Sequence, residues 1–104
     1  TGVRVSASAV PVLEGTRELA LAGYFPAGSR RNRESYEPDI QIDEQVAEVD
    51  RMVFCDAQTS GGLLFSVPGE KAPELVSKLV AAGEMAAEVG EFIESDSGKI
   101  EIVP

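Results

Sequence analysis

The spacing of apolar residues along this chain changes from every second residue to every third or fourth, and then back to every second. Val3, Val5 and Ala7 alternate with polar residues, a pattern typical of a strand with one buried face. From 72 to 80 the apolar side chains fall at i, i+3, i+4, i+7 and i+8, which predicts an amphipathic helix. Alternation returns at 100–102. A chain with both element types is restricted to folds in which helices cover a sheet.

These patterns predict a single α+β domain over residues 1–104. The expected sheet is mixed or antiparallel, has about four strands, and carries its helices on one face. Predicted strands cover 3–8, 63–67, 86–93 and 100–102, and predicted helices cover 11–22, 44–54 and 72–80. Residues 24–39 are predicted to form an irregular basic loop with room for one short helical turn. Ser95–Gly98 is predicted to be the turn of a carboxy-terminal hairpin.

Charge and hydropathy exclude two classes of partner. The chain has 9 Lys and Arg against 18 Asp and Glu, a net charge of −9, and this field repels the phosphate backbone of nucleic acids. Its apolar runs are far shorter than the roughly 18 residues needed to cross a bilayer, and no basic-then-apolar leader opens it. We therefore expect a soluble, cytoplasmic protein with neither a nucleic-acid nor a membrane partner.

The residue types available for chemistry are few. Histidine is absent, which removes the commonest general base and the commonest metal ligand. The single cysteine, Cys55, follows three apolar residues and is interpreted as a buried, unreactive thiol. Asp43, Glu44, Glu48 and Asp50 are interpreted as the solvated face of a helix rather than as metal ligands. Neither a catalytic residue nor a metal site is predicted in the chain.

One candidate site is the glycine loop, residues Thr59, Ser60, Gly61 and Gly62. Its two glycines permit close backbone approach, and successive amide donors can form a concavity that binds an anion such as phosphate. The alternative is that the glycines only permit a sharp turn, since Ser-Gly-Gly is common in turns. The sequence matches neither the P-loop nor the dinucleotide-binding pattern.

A second candidate site is the arginine segment, residues Ser29, Arg30, Arg31 and Asn32, which Arg33 follows. It is the only cationic cluster in an acidic chain, and guanidinium groups bind phosphate oxygens in a bidentate manner. The alternative is that these arginines pair with nearby carboxylates such as those of Glu34 and Glu37. Charge alone leaves both interpretations open.

Both candidate segments lie within phrases that resemble a known family. Asp56–Leu64 is similar to the D-P-Q-T-S-G-G-L-L signature of selenophosphate synthetases, and Leu19–Asn32 resembles that family's L-A-x-x-G-x-x-P-G-G-[TS]-x-R-N segment. Val3–Gly15 is similar to the strand and V-P-V-L-x-G turn that precede this segment in the family. The resemblance therefore covers nearly the whole chain. Two positions depart from it, because Ala57 replaces a proline and Ala27 replaces a glycine.

The resemblance implies the carboxy-terminal domain of a selenide, water dikinase, an enzyme with an aminoimidazole ribonucleotide synthetase-like fold. That enzyme uses ATP and Mg²⁺ to convert selenide to selenophosphate, with AMP and orthophosphate as products. The family's reactive Cys or selenocysteine and its metal-binding Asp residues lie in an amino-terminal catalytic domain, so this chain is expected to be inactive and ligand-free alone. Its expected partners are that domain and, in the parent homodimer, a second copy.

Three further expectations complete the interpretation. The chain begins at Thr1 and enters a strand pattern at once, which indicates a piece of something longer. Such a piece is expected to self-associate through an exposed apolar flank. The alternative function is a stand-alone anion-binding or protein-interaction module without catalysis. An equivalent domain of a sister family, such as thiamine-monophosphate kinase or a hydrogenase-maturation protein, agrees less well with the Q-T-S-G-G-L-L phrase.

Overall fold

A computed structural model describes residues 1–95 and 98–104. The described residues form four strands and four α-helices. In chain order these are β1 (Gly2–Ser6), α1 (Thr16–Leu21), α2 (Ala27–Tyr36), β2 (Ile40–Ile42), α3 (Glu48–Phe54), α4 (Ala72–Ala81), β3 (Gly90–Ile93) and β4 (Ile100–Val103). Short 3-10 turns follow β1, follow α2 and precede α4. None of the helices described is long and apolar enough to span a bilayer.

The four strands form one mixed sheet in the order β2-β4-β1-β3. β1 runs parallel to β4 and antiparallel to β3, so that Val3 lies opposite Ile100 on one side and opposite Phe92 on the other. β2 runs parallel to β4. The predicted α+β class with a mixed sheet of about four strands is confirmed.

The predicted carboxy-terminal hairpin is wrong. β1 is inserted between β3 and β4, so the last two strands are not neighbours in the sheet. β1 can form hydrogen bonds with a neighbouring strand along each of its two edges. Its alternating apolar residues do not reveal which strand lies along which edge. Part of the predicted turn, Asp96 and Ser97, lies outside the described residues.

The core of the domain is small. Ala7, Val46 and Ile102 are buried together, and Ile40, Ile42 and Phe54 pack around them as partly buried neighbours. α1 packs against α3, and α2 also contacts α3. The sheet therefore meets the helices through β2, β4 and the end of α3, which is the part of the molecule next to the candidate site.

The predicted irregular loop at 24–39 is wrong, because most of it is α2. This helix is almost wholly polar and has no apolar stripe, so periodicity could not reveal it. Its alanine, arginines and glutamate are nevertheless good helix formers, and Arg33 pairs with Glu37 one turn later. The following strand, β2, is only three residues long and was not predicted.

Two predicted helices begin later than expected. α1 starts at Thr16 rather than at 11, because Gly15 adopts a left-handed backbone with φ of 81° that a right-handed helix cannot pass through. α3 starts at Glu48 rather than at 44, because Ala47 has an extended backbone with ψ of 142° that a helix cannot include. Before it, the Asp43 carboxylate accepts the Gln45 amide at 2.8 Å in a local turn. The predicted helix at 72–80 is confirmed as α4.

The predicted buried strand at 63–67 is wrong. Leu63, Leu64 and Phe65 are 82%, 85% and 61% exposed and belong to no strand in the described chain. An apolar run of this length is typical of a strand only when neighbouring strands pair with it, and the described sheet does not extend to it. This apolar run, Leu63–Phe65, follows the glycine loop directly.

Candidate functional site

Ser29 joins the two segments that the sequence singled out. Its side chain is completely buried, and its hydroxyl donates a hydrogen bond to Asp56 Oδ1 at 2.9 Å. The same hydroxyl accepts a hydrogen bond from the backbone amide of Ala57 at 3.3 Å. The first turn of α2 is thereby attached to the chain just before the glycine loop.

Asn32 adds a second attachment one turn further along α2. Its side-chain amide donates to the carbonyl oxygen of Cys55 at 3.1 Å. Close packing accompanies these bonds, since a Cβ placed on Gly28 would lie only 2.8 Å from the Cβ of Ala57. We call the bonds from Ser29 and Asn32 to residues 55–57 the Ser29 clamp.

The glycine loop begins two residues beyond the clamp. Thr59, Ser60, Gly61 and Gly62 are all exposed. Their backbone amides donate no hydrogen bond to any described residue. The loop is fixed at its start by the clamp and is open along its length, which is an arrangement suited to an anion.

The arginine segment divides into buried and exposed members. Ser29 and Asn32 belong to the clamp, whereas Arg30 and Arg31 are exposed and form no ion pair within residues 1–95 and 98–104. Because Ser29 is fully buried and already bonded, its hydroxyl does not face solvent. The structure thus holds α2 beside the start of the glycine loop through Ser29 and Asn32, and leaves Arg30 and Arg31 exposed to solvent.

Arg33 pairs with carboxylates, which was the alternative interpretation of the basic cluster. Its Nε donates to Glu37 Oε2 at 2.6 Å, and its Nη2 donates to Glu48 Oε2 at 3.1 Å. Arg51 lies 3.8 Å from Glu37 as well. Pairing with carboxylates therefore occurs at Arg33 rather than at Arg30 or Arg31, and it connects α2 to α3.

Two pKa shifts follow from this arrangement. The Arg33 guanidinium, which hydrogen-bonds Glu48, lowers the pKa of that carboxyl. Burial raises the pKa of the Cys55 thiol, and the negative charge of Glu37 raises it further. Cys55 is half-buried and stays a protonated thiol at neutral pH, so its chemistry agrees with the structural interpretation.

The donor set of this region does not fit a metal ion. No group of three or more His, Cys, Asp or Glu side chains within the described ranges is arranged to hold one. Asp50 pairs with Arg17 at 2.7 Å and Glu48 pairs with Arg33. Mg²⁺ is held in proteins chiefly by carboxylate oxygens, and residues 59–62 of the glycine loop carry none.

An open groove lies next to the clamp. Its volume is about 330 Å³, and clamp residues Asn32, Cys55 and Asp56 form one wall. The aromatic side chains of Tyr36 and Phe54 line it as well. Sequence reasoning did not identify Asp56 as a partner of Ser29. The only available signal was that both residues lie within the two family-like phrases.

Comparison with known proteins identifies the family. No family model matches the chain. A selenide, water dikinase of Carboxydothermus hydrogenoformans is 38% identical over 99 residues, 95% of this chain. Selenide, water dikinase 2 of Peptoclostridium acidaminophilum is 35% identical over 102 residues, 97% of this chain. The chain belongs to the selenide, water dikinase family. It spans 29% of the length of each of these two relatives.

The two departures from the selenide, water dikinase phrases now have structural meanings. Ala57 stands where the phrase has proline, and its amide donates to the Ser29 hydroxyl. Proline has no amide hydrogen, so this bond is open only to a non-proline residue. Ala27 is exposed at the start of α2, whereas the close approach to Ala57 occurs at Gly28. The Ala27 side chain, which replaces the family's glycine, therefore lies away from that close contact.

Proposed function

We propose that this chain is the carboxy-terminal domain segment of an enzyme that makes selenophosphate from selenide and ATP, with AMP and orthophosphate as products. In this proposal the glycine loop and the exposed arginines close the phosphate end of a nucleotide site. The observation that supports it most directly is the Ser29 clamp, because it holds the arginine segment against the start of the glycine loop.

The exposed groups have the chemistry that phosphoryl transfer requires. Transfer of a phosphoryl group depends mainly on positioning and on stabilising the negative charge of its oxygens. Arg30 and Arg31 can each offer two parallel N–H donors to a phosphate. The backbone amides of Gly61 and Gly62 and the hydroxyls of Thr59 and Ser60 can supply further donors. None of these groups is assigned a role as acid, base or nucleophile.

The rest of the parent enzyme supplies what this chain does not. ATP and Mg²⁺ would be held chiefly by an amino-terminal domain, and the metal would neutralise phosphate charge there. The proposed partners are that domain and, in a parent homodimer, a second copy. Location in the cytoplasm and inactivity of the isolated chain belong to the same proposal.

Alanine substitutions in the intact enzyme test the phosphate role. Arg31→Ala and Thr59→Ala remove exposed donors, and Lys78→Ala removes an exposed cation from α4 as a control. We expect Arg31→Ala to lower kcat/KM for ATP about 10- to 100-fold, because a hydrogen bond to a charged group contributes roughly 1.5–3 kcal/mol. Activity equal to that of Lys78→Ala in both variants would contradict the proposal.

A binding measurement on the 104-residue chain tests the alternative module. Isothermal titration with pyrophosphate should show no binding if the phosphate site needs the rest of the enzyme. Saturable binding that Arg31→Ala abolishes would instead favour a stand-alone anion-binding module.

A further inference from the structure

We propose that Ser29 is a positioning residue, which fixes the path of the glycine loop through Asp56 and Ala57 and does not itself contact a nucleotide. This inference rests on the proposed function, because it concerns the same loop. It differs from the sequence prediction, in which Ser29 was a candidate for direct contact with phosphate.

The burial of Ser29 is the first argument. It is the one polar residue among those described whose side chain is buried, and it is 0% exposed. A buried hydroxyl needs partners for its donor and for its acceptor lone pairs, and here Asp56 and Ala57 satisfy both. Those partners are 27 and 28 residues away in sequence, so the bonds fix a tertiary contact.

The second argument is the direction of the chain after α3. Apart from the clamp, the backbone amides of Cys55 and Asp56 donate hydrogen bonds within the described chain only to the carbonyl oxygens of Met52 and Val53 in their own helix. Among residues 1–95 and 98–104, the Ala57 amide donates a hydrogen bond only to the Ser29 hydroxyl. The Ser29 hydroxyl therefore determines where the chain goes in the two residues that precede Thr59.

The third argument is that α2 is itself a fixed reference for the loop. Arg33, one turn beyond Ser29, is paired with Glu48 at the start of α3. Asn32 is bonded to Cys55 at the end of α3. α2 is thus tied to both ends of α3, so a loop attached to Ser29 takes its position from two packed helices rather than from solvent-exposed backbone.

Nuclear magnetic resonance of the 104-residue chain tests the positioning role without any ligand. Ser29→Ala should accelerate hydrogen exchange at the Ala57 amide about 5- to 30-fold, the ratio that corresponds to roughly 1–2 kcal/mol. It should also lower the ¹⁵N order parameters of residues 58–62. Ser35→Ala, which changes an exposed serine on the same helix, is the matched control and should alter neither quantity.

A conservative variant separates the hydrogen bond from bulk stability. Asp56→Asn keeps an acceptor oxygen for the Ser29 hydroxyl and should retain the order of residues 58–62, whereas Asp56→Ala should lose part of it. If Ser29→Ala lowers the melting temperature but leaves the order parameters of 58–62 unchanged, Ser29 is merely structural and the inference is overturned.

Kinetics of the intact enzyme distinguish this inference from the proposed function. We expect Ser29→Ala to raise KM for ATP or lower kcat several-fold while the enzyme is still folded by circular dichroism, and Asp56→Asn to retain most of the activity of the parent enzyme. A loop that loosens in Ser29→Ala while Thr59→Ala and Arg31→Ala leave kinetics unchanged would support the positioning role and refute the phosphate role. Unchanged loop order and unchanged kinetics in Ser29→Ala would refute the positioning role alone.

Discussion

Removal of the Arg33 side chain should destabilise the domain, although Arg33 lies in the segment that sequence alone linked to anion binding. Its guanidinium joins α2 to the turn after it and to α3, through Glu37 and Glu48. The Arg33 side chain is 24% exposed, Glu37 is 30% exposed and Glu48 is 69% exposed. The pair with Glu37 is therefore the better shielded of the two.

These exposures set the size of the effect. An exposed ion pair such as Arg33–Glu48 contributes about 0.2–1 kcal/mol after solvent screening. The hydrogen bond to the better shielded Glu37 adds about 1 kcal/mol, which is below the usual range for hydrogen bonds to charged groups because this pair is still partly solvated. Arg33→Ala should therefore lower the free energy of unfolding by about 1–2 kcal/mol, or the melting temperature by about 4–8 °C per kcal/mol in a domain of this size.

Urea unfolding followed by circular dichroism measures the change. Arg31→Ala is the matched control, because Arg31 lies on the same helix and is exposed without an ion pair to a described residue. We expect the control to stay within about 0.5 kcal/mol of the parent chain. Equal urea midpoints for Arg33→Ala and Arg31→Ala would refute the assignment of Arg33 as the structural member of the cluster.

The pH dependence of the same difference gives a second check. Arg33 lowers the pKa of Glu48 in the folded state, so the pair stabilises the fold at pH values above the unfolded pKa of glutamate, about 4.3. That stabilisation is lost as pH falls through the folded-state pKa. The gap between the parent chain and Arg33→Ala should thus be constant near neutral pH and shrink below about pH 4. A gap that widens on acidification would contradict the sign of this shift.

Two further predictions concern the sheet and the exposed surface. Gly90→Ala should destabilise the domain by about 1–3 kcal/mol, because the new Cβ would lie 2.1 Å from the carbonyl oxygen of Arg4 on β1. Gly69→Ala is the control, because a Cβ at that position would meet no atom within 4 Å. Light scattering at high concentration should show self-association through the apolar run Leu63–Phe65, and Leu64→Ser should weaken it. A chain that stays monomeric at every concentration would contradict this prediction.

Sequence periodicity predicted the elements that carry an apolar face. β1, α4 and β4 were recognisable because their apolar residues repeat at the spacing of the element that they form. α2 was not, because its stability comes from polar helix formers, the Arg33–Glu37 pair and contacts with α3 rather than from an apolar stripe. Strand order was equally hidden, since the apolar alternation of β1 is compatible with several neighbours.

The candidate site shows the same division. Both segments were predicted from residue chemistry and from phrases resembling one family, and the relatives confirm that family. The contact between them was not predicted, because the Ser29–Asp56 bond joins residues 27 positions apart and depends on how α2 packs. Nor could charge alone separate Arg33 from Arg31, because their roles differ through the positions that Glu37 and Glu48 take in the fold.

The two ends of the glycine loop are held in different ways, and this difference connects the small core with the proposed function. At its start the loop is fixed by the buried Ser29 clamp. At its end the loop continues into Leu63 and Leu64, which are more than four-fifths exposed. The structure shows no attachment at this end, within the described residues, that resembles the clamp. A chain of this size normally buries roughly two thirds of the surface that it exposes when unfolded. An apolar run left this exposed therefore indicates a surface that another part of a protein covers. Whatever covers Leu63–Phe65 would fix the far end of the loop. In the proposed function, closure of the phosphate site would then require both the internal clamp and that outside contact.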